Sequence, residues 1–253
     1  MVTLVVGCTA GKALAPIVRG GEVARTLNRT RTVEAFAKAW ASRLLLAMSK
    51  GPSRRARDMY VGKNIALVKS LLAVKRMLIV STGYGFLDSE TSIVSYSLTA
   101  SQGGIISDDD KLTKLLVDFD RAAWWAAINR HMSGLQQPLA HTLSATRGLI
   151  VIALSRDYLE MTCDDLACVS DQANMVVVGQ PSASMIKRLA ARSIAYDPPF
   201  PDGPRINRPL RAAAHFIDRI VRNQGDHRTI DEYRGFVERD IRMRFATGTG
   251  LGL

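Results

Sequence analysis

The stretch RMLIVSTGYGFLDSETSIVSYSL, residues 76–98, indicates the fold of this chain. Its apolar run Met77–Val80 is followed by Ser81-Thr82-Gly83, which predicts a buried strand whose carboxyl end opens into a glycine-containing loop. In open α/β sheets, ligands bind at the carboxyl ends of the strands. The loop is therefore predicted to present side chains that stack on a flat ring, accept hydrogen bonds or move protons: Tyr84, Asp88, Glu90 and Tyr96.

Other apolar runs alternate with amphipathic patterns along the chain. Further strands are predicted at Thr3–Val6, Leu149–Leu154 and Met175–Val178. Helices are predicted at Thr32–Met48, Asn64–Val74, Arg156–Ala167 with Ser155 as its cap, Ser182–Arg192, Leu210–Asn223 and Thr229–Phe245. A basic turn is expected at Lys50–Arg57, and another helix carries Trp124 and Trp125 into the core or an interface. The alternation predicts an α/β fold, with a largely parallel central sheet flanked by helices.

Length and composition indicate how the chain is organised. Its 253 residues, 47% of them hydrophobic, can bury a large core. We expect an α/β domain over residues 1–195, followed over residues 196–253 by a proline-rich loop and a helical extension packed on the same domain. Because no apolar run approaches the roughly 20 residues that span a bilayer, and three cysteines fit no disulfide framework, we expect a soluble cytoplasmic protein without a membrane partner.

The positive charge is concentrated at the amino end. The net charge is +11, and residues 1–80 hold fifteen Lys or Arg against three acids, whereas the remaining residues are close to neutral. Such a surface attracts polyanions through counterion release, which predicts a nucleic-acid partner, DNA before RNA. A solvated basic surface and anionic lipid remain alternatives. The residues predicted to contact phosphates are Arg54, Arg55, Arg57 and Lys63.

A thiol and a cation follow the predicted first strand, in the segment Gly7-Cys8-Thr9-Ala10-Gly11-Lys12. It departs from the phosphate-binding P-loop, since Val6 and Ala13 replace a glycine and a hydroxyl residue of that motif. Lys12 is either a point charge for an anion or a surface lysine, and Cys8 is either a thiolate or a buried cysteine. The four histidines show no paired spacing, so neither a metal nor another cofactor is expected.

Two segments carry a resemblance to a known family. The chain resembles the YaaA-like superfamily of peroxide-stress proteins and related domains, and more distantly the central domain of archaeosine synthase. Arg57–Leu71 is similar to the family's Tyr-x-Gly segment, and Val80–Leu98 to its Leu-Ser-x-x-Tyr-Gly-Leu-Leu segment. Leu149–Leu159 is similar to its later strand, which ends in Ser and is followed by Tyr, and Cys8-x-x-x-Lys12 to the archaeosine branch. Ser95 departs from the family's usual proline.

The resemblance implies an α/β fold associated with nucleic acid or a nucleobase, and three functions follow. The first is a DNA-glycosylase-like hydrolase, in which a carboxylate faces the developing oxocarbenium ion. The second is a DNA-binding stress or defence protein without chemistry. The third is a deazaguanine-type base-modifying transferase, in which Cys8 attacks an electrophilic carbon and Lys12 stabilises charge. We predict catalysis by Asp88, Glu90 or Cys8, and base or ligand binding by Lys12, Tyr60, Ser81, Tyr84, Gly85 and Tyr96.

Overall fold

The structure is a computed structural model that describes residues 1–27, 32–101, 106–135, 137–179, 187–196 and 208–248, with the backbone alone for 244–248. The described strands are β1 (Val2–Gly7), β2 (Val18–Arg19), β3 (Ser53–Arg55), β4 (Val74–Ser81), β5 (Gly85–Asp88), β6 (Ser92–Val94), β7 (Tyr96–Ser97), β8 (Leu149–Ala153), β9 (Met175–Val178) and β10 (Ser193–Ile194).

The described α-helices are α1 (Gly20–Thr26), α2 (Val33–Lys50), α3 (Ala56–Met59), α4 (Lys63–Ser70), α5 (Leu112–Leu115), α6 (Arg121–His131), α7 (Leu139–Ser144), α8 (Arg156–Ala167), α9 (Arg208–His215), α10 (Arg222–Gln224) and α11 (Ile230–Gly248). A π-helical stretch, Phe216–Val221, joins α9 to α10. None of the helices in these residues is long and apolar enough to cross a membrane.

A six-stranded sheet forms the centre of the fold. Its strand order is β10-β9-β8-β1-β4-β5, and every neighbouring pair is parallel except β4 and β5. Strands β8 and β9 are buried along their whole length, as expected when both faces of a parallel sheet are covered. The predicted α/β class, with a mostly parallel sheet flanked by helices, is confirmed.

Helices pack in two groups around this sheet. Helices α2, α6 and α8 contact one another in series, while α9 contacts β8, β9 and α4. Capping side chains define where two of them begin: Thr32 accepts a hydrogen bond from the Ala35 amide and Asp120 from the Ala123 amide. The predicted core position of Trp124 and Trp125 is confirmed, since both are buried. The C-terminal extension joins the same body through α9 and through α11, which contacts β10.

Several predicted boundaries need correction. The helix predicted at Asn64–Val74 ends at Ser70, because the chain must turn before β4 begins at Val74. The predicted turn at Lys50–Arg57 contains β3, which pairs with β6, and the start of α3.

In the C-terminal half, the predicted helices agree only in part with the structure. The Ser155 side chain makes no capping bond, although Ser155 does precede α8. The helix predicted at Ser182–Arg192 falls partly outside the described residues, and its last three residues form a 3-10 turn. Most of the proline-rich loop and the end of the glycine-rich tail also lie outside the described residues.

Candidate functional site

The carboxyl ends of β1 and β8 lie side by side at one end of the sheet. The chain passes from β1 to β4 on one side, whereas β8 lies on the other side and is followed outward by β9 and β10. The connections after β1 and β8 therefore leave in opposite directions, which is the switch point where ligands bind in open α/β sheets. Cys8 follows β1, and Tyr158 lies in the first turn of α8, directly after β8.

The side chains of Cys8 and Tyr158 meet at this switch point. The Cys8 Sγ lies 3.0 Å from the hydroxyl oxygen of Tyr158 and 3.5 Å from that of Tyr96. The Cys8 amide donates to the Val80 carbonyl at 2.8 Å, which ties the end of β1 to β4. The thiol is partly buried. Together these contacts give the sulfur a fixed place beside two hydroxyl groups.

Behind the sulfur, three buried hydroxyls form a triangle. The hydroxyl oxygens of Tyr60 and Ser81 are 3.0 Å apart, those of Ser81 and Tyr96 2.8 Å, and those of Tyr60 and Tyr96 3.1 Å. The Tyr84 amide also donates to the Ser81 Oγ, at 3.1 Å. We call the following residues the cysteine–tyrosine cluster: Cys8, Lys12, Tyr60, Ser81, Thr82, Tyr96 and Tyr158.

Lys12 supplies the cation of the cluster. Its Nζ lies 4.2 Å from the centroid of the Tyr96 ring and 5.6 Å from that of Tyr60, within range of cation–π attraction. Burial lowers the pKa of Lys12 below its usual value, and negative charge at Cys8 acts in the opposite direction. The amine therefore gives up its proton more readily than a lysine in water.

The three tyrosines nearest the sulfur stay neutral. Burial raises the pKa of Tyr60, Tyr96 and Tyr158 well above the usual range, and negative charge at Cys8 raises it further. Each hydroxyl therefore keeps its hydrogen at physiological pH. The cluster combines a thiol, an amine and neutral hydroxyl donors.

A glycine at the end of β1 and a glycine after β4 make room for two of these rings. A Cβ on Gly7 would lie 2.9 Å from a ring carbon of Tyr158, and a Cβ on Gly83 would lie 2.6 Å from a ring carbon of Tyr96. Distances below about 3.0 Å are not tolerated, so a side chain at either glycine would displace its tyrosine. Both rings therefore depend on the close approach that glycine permits.

Two tryptophans fix the loop after β4. The Trp40 Nε1 donates to the Gly83 carbonyl at 2.8 Å, and the Trp124 Nε1 donates to the Thr82 carbonyl at 3.0 Å. Both indole rings are fully buried. Helices α2 and α6 thereby hold Thr82, whose hydroxyl lies 3.4 Å from that of Tyr158.

The N-terminal loop is tied to the segment that carries Tyr60. The Thr9 hydroxyl donates to the Val61 carbonyl at 2.9 Å, and the Val61 amide donates to the Gly11 carbonyl at 3.1 Å. Lys63 follows two residues later, exposed at the start of α4. One of the cations predicted to contact phosphate is therefore close in sequence to a segment that is tied to the N-terminal loop.

Asp88 and Glu90 lie apart from the cluster. The predicted loop position of Asp88 is wrong, because β5 turns back antiparallel to β4 and pairs Asp88 with Leu78. That pairing puts Asp88 three residues, or about 10 Å, from the end of β4. Asp88 accepts from Arg76 at 2.9 Å, and Glu90 pairs with Arg55 and Arg57. Within the described residues, no carboxylate hydrogen-bonds to the cluster.

Tyr84 and Gly85 have visible structural roles. The Tyr84 hydroxyl donates to the Val94 carbonyl at 3.1 Å and accepts from the Val94 amide at 3.0 Å, and burial raises its pKa. Its ring packs edge-on against Tyr96. Gly85 has a φ of +75°, as expected at a tight corner, and a Cβ there would collide with the Asn129 side chain. Base or ligand binding by these two residues stays a prediction.

The basic excess of residues 1–80 is partly neutralised. Acids that lie later in the chain take up some of it, since Glu90 binds both Arg55 and Arg57. Arg76 likewise pairs with Asp88. In the described part of residues 1–80, the exposed cations that form no ion pair are Arg25, Lys38, Arg43, Lys50, Arg54, Lys63 and Lys75.

The structure brings together five of the predicted site residues, which are Cys8, Lys12, Tyr60, Ser81 and Tyr96. Tyr158 and Thr82 were not predicted as site residues. The available signal for Tyr158 was its place in the first helical turn after a strand, on the edge where ligand sites form.

Comparisons with protein-family models, with curated proteins and with solved structures found no match to this chain. The similarity to the YaaA-like superfamily therefore stays a prediction. In the residues that the structure describes, no group of three or more His, Cys, Asp or Glu side chains is arranged to hold a metal ion.

Proposed function

We propose that this protein is an enzyme that acts on a base of nucleic acid through covalent attack by Cys8. The observation that supports it is the position of the Cys8 Sγ, 3.0 Å and 3.5 Å from two neutral tyrosine hydroxyls at the switch point of the sheet. A thiol beside hydrogen-bond donors and a cation is the arrangement that nucleophilic catalysis requires. Among the three functions above, this geometry favours the base-modifying transferase.

The chemistry of the first step follows from the residues. The Cys8 sulfur forms a bond to an electrophilic ring carbon of the base, and the π bond between that carbon and its ring nitrogen breaks. The electron pair moves to the nitrogen, which takes up the proton that leaves the thiol. Lys12 is the cation that stabilises the charge developing on the base.

A nucleic-acid partner is supported by exposed cations that flank Tyr60 in the sequence. Lys63 begins α4, three residues after Tyr60, and Arg54 lies on β3, six residues before it. Neither forms an ion pair with a described residue, so both are free to neutralise phosphates. We propose DNA before RNA as the partner.

The catalytic proposal is tested on nucleic acid that carries normal or modified bases. Purified protein is incubated with DNA and with RNA in the presence of a small-molecule cell extract, which supplies a donor for the transferred group. The nucleic acids are then digested and examined by mass spectrometry for altered or released bases. We expect one altered base, lost in Cys8→Ser and retained in Cys168→Ser, a matched change at an exposed thiol. Release of a free base that persists in Cys8→Ser would contradict the proposal and support the glycosylase-like hydrolase.

Binding is tested separately by its dependence on salt. Affinity should fall about 10³-fold or more between 50 and 200 mM salt if about six phosphates are contacted. The double variant Lys63→Glu, Arg54→Glu should weaken binding, whereas Arg147→Glu, an exposed cation before β8 at the other edge of the sheet, should not. Salt-independent affinity would contradict a phosphate-binding surface. Tight binding without any altered base would favour a DNA-binding protein without chemistry.

A further inference from the structure

The hydroxyl hydrogens around Cys8 can be counted. Tyr60, Ser81 and Tyr96 each carry one hydroxyl hydrogen, and their mutual distances of 2.8 to 3.1 Å allow a closed ring in which each donates once and accepts once. The second acceptor site of Ser81 is taken by the Tyr84 amide. In this ring no hydroxyl hydrogen of the triangle is left for the sulfur.

Tyr158 stands outside that ring. Its hydroxyl lies 3.0 Å from the Cys8 Sγ and 3.4 Å from the Thr82 hydroxyl, so the sulfur is its nearer partner. When the thiol is protonated, it can donate to the Tyr158 oxygen while the Tyr158 hydrogen points to Thr82. When the thiol loses its proton, the Tyr158 hydrogen can turn to the sulfur. A thiolate has no hydrogen of its own and needs such a donor.

We infer that the Tyr158 hydroxyl is the donor that stabilises Cys8 as a thiolate, which makes Tyr158 a further catalytic residue. This inference rests on the proposed function only in naming Cys8 as the nucleophile. Thr82 positions Tyr158 by accepting its hydrogen in the resting state, and Trp124 in turn holds Thr82 through its carbonyl.

The approach of Tyr158 to the strand supplies independent support. The Tyr158 ring lies so close to the backbone of Gly7 that a Cβ there would come within 2.9 to 3.3 Å of three ring carbons. Gly7 directly precedes Cys8. The residue that admits the ring and the residue whose sulfur the hydroxyl contacts are therefore adjacent, so one methyl group at Gly7 should displace the donor from the thiol.

The test measures alkylation of each cysteine by iodoacetamide across pH, without nucleic acid. The thiolate sulfur forms a bond to the methylene carbon, the carbon–iodine bond breaks, and iodide leaves. Peptide mass spectrometry separates Cys8 from Cys163 and from Cys168, whose exposed thiol serves as an internal reference.

We expect Tyr158→Phe to raise the pH midpoint of Cys8 alkylation by about one unit, the scale of one hydrogen bond to a charged group. The rate at pH 7 should fall roughly threefold to tenfold, because a more basic thiolate is also more nucleophilic and offsets part of the loss. Gly7→Ala should change the midpoint in the same direction.

Two matched variants serve as controls. Tyr233→Phe removes another buried tyrosine hydroxyl, which donates to the Gly225 carbonyl far along the chain from Cys8. Gly134→Ala adds a Cβ where no atom lies within 4 Å. Both should leave the midpoint at Cys8 unchanged, and circular dichroism of every variant should match the wild type.

An unchanged or lowered midpoint in folded Tyr158→Phe would overturn the inference. Its failure is distinguishable from failure of the proposed function. If the midpoint is unchanged in Tyr158→Phe while Cys8→Ser abolishes base alteration, the proposed function is supported and the role of Tyr158 is contradicted. If the midpoint rises in Tyr158→Phe while the wild type alters no base, the role of Tyr158 is supported and the proposed function is contradicted.

Discussion

Opposing electrostatic effects act on the pKa of Lys12. Burial disfavours its ammonium form and lowers its pKa, whereas negative charge at Cys8 and the faces of Tyr60 and Tyr96 favour that form. The result is a cation held beside aromatic rings that releases its proton more easily than an exposed lysine. Such a group suits the stabilisation of charge on a bound base.

Replacement of Asp88 distinguishes attack by Cys8 from catalysis by a carboxylate. Asp88→Asn deletes a charge that pairs with Arg76 and touches no cluster residue. We expect base alteration to stay within about threefold of the wild type, and stability to fall by about 1 kcal/mol or less, as for other part-exposed ion pairs. Turnover and denaturant unfolding measure the two effects. A loss of about 100-fold in turnover would instead assign the chemistry to Asp88.

Some residues of the candidate site could be predicted from the sequence, and others could not. The Cys8 thiol lies 3.5 Å from the Tyr96 hydroxyl, and both residues were named from the sequence because each lies in a segment that follows a predicted strand. Tyr158 was not, since 150 positions separate it from Cys8 and only the sheet order brings them together. Asp88 was misplaced because composition does not reveal that the chain reverses at Gly85 and forms a strand.

Among the elements, the end of β1 and the loop after β4 position the two tyrosine rings. Each contains a glycine that admits a tyrosine ring, and the loop after β4 is also held by indole hydrogen bonds from α2 and α6. The longer helices and the strands β1, β4, β8 and β9 were predicted from periodicity, whereas β5 and β10 were not. The short strands β2, β3, β6 and β7 could not be predicted, because they exist only through pairing with distant partners.

Gly83→Ala tests this role of the loop after β4. The added methyl group would lie 2.6 Å from the Tyr96 ring, so we expect a loss of about 1–3 kcal/mol in the free energy of unfolding, as for other overpacked sites. Denaturant titration measures the loss, and Gly134→Ala, in open space, is the matched control. Equal stability of the two variants would show that Tyr96 moves freely and is not held against Gly83.

For the whole molecule, the buried tyrosines set the response to alkaline pH. The pKa of Tyr60, Tyr96 and Tyr158 is raised in the folded state, and burial raises the pKa of Tyr233 to about 12. The unfolded chain therefore loses these protons first, so their contribution to stability is complete below about pH 10 and falls above it. Lys12 acts in the opposite direction, because its folded-state pKa is lowered, but it is a single group.

We accordingly expect the free energy of unfolding to fall between about pH 10 and 11.5, with a slope of up to roughly 1.4 kcal/mol per pH unit for each such tyrosine. Denaturant unfolding at a series of pH values measures this slope. Tyr96→Phe removes one titrating group and should make the slope shallower. A free energy of unfolding that stays constant to pH 11.5 would contradict the burial of these hydroxyls.

The sheet order also explains why the thiol, the amine and the hydroxyls converge. Residues from the N-terminal loop, from the segments around Tyr60 and Ser81, and from α8 all reach the carboxyl edge near β1. This edge is where the central claim, covalent attack by Cys8 on a base, places the bound nucleic acid.

Acid quenching during turnover tests that claim most directly. Protein and nucleic acid are mixed, quenched in acid within the first turnovers and digested, and peptide mass spectrometry searches for a base joined to a side chain. The account predicts an adduct on the peptide that contains Cys8, absent in Cys8→Ser and present in Cys168→Ser. Altered base without any adduct on Cys8, or an adduct on another residue, would contradict it.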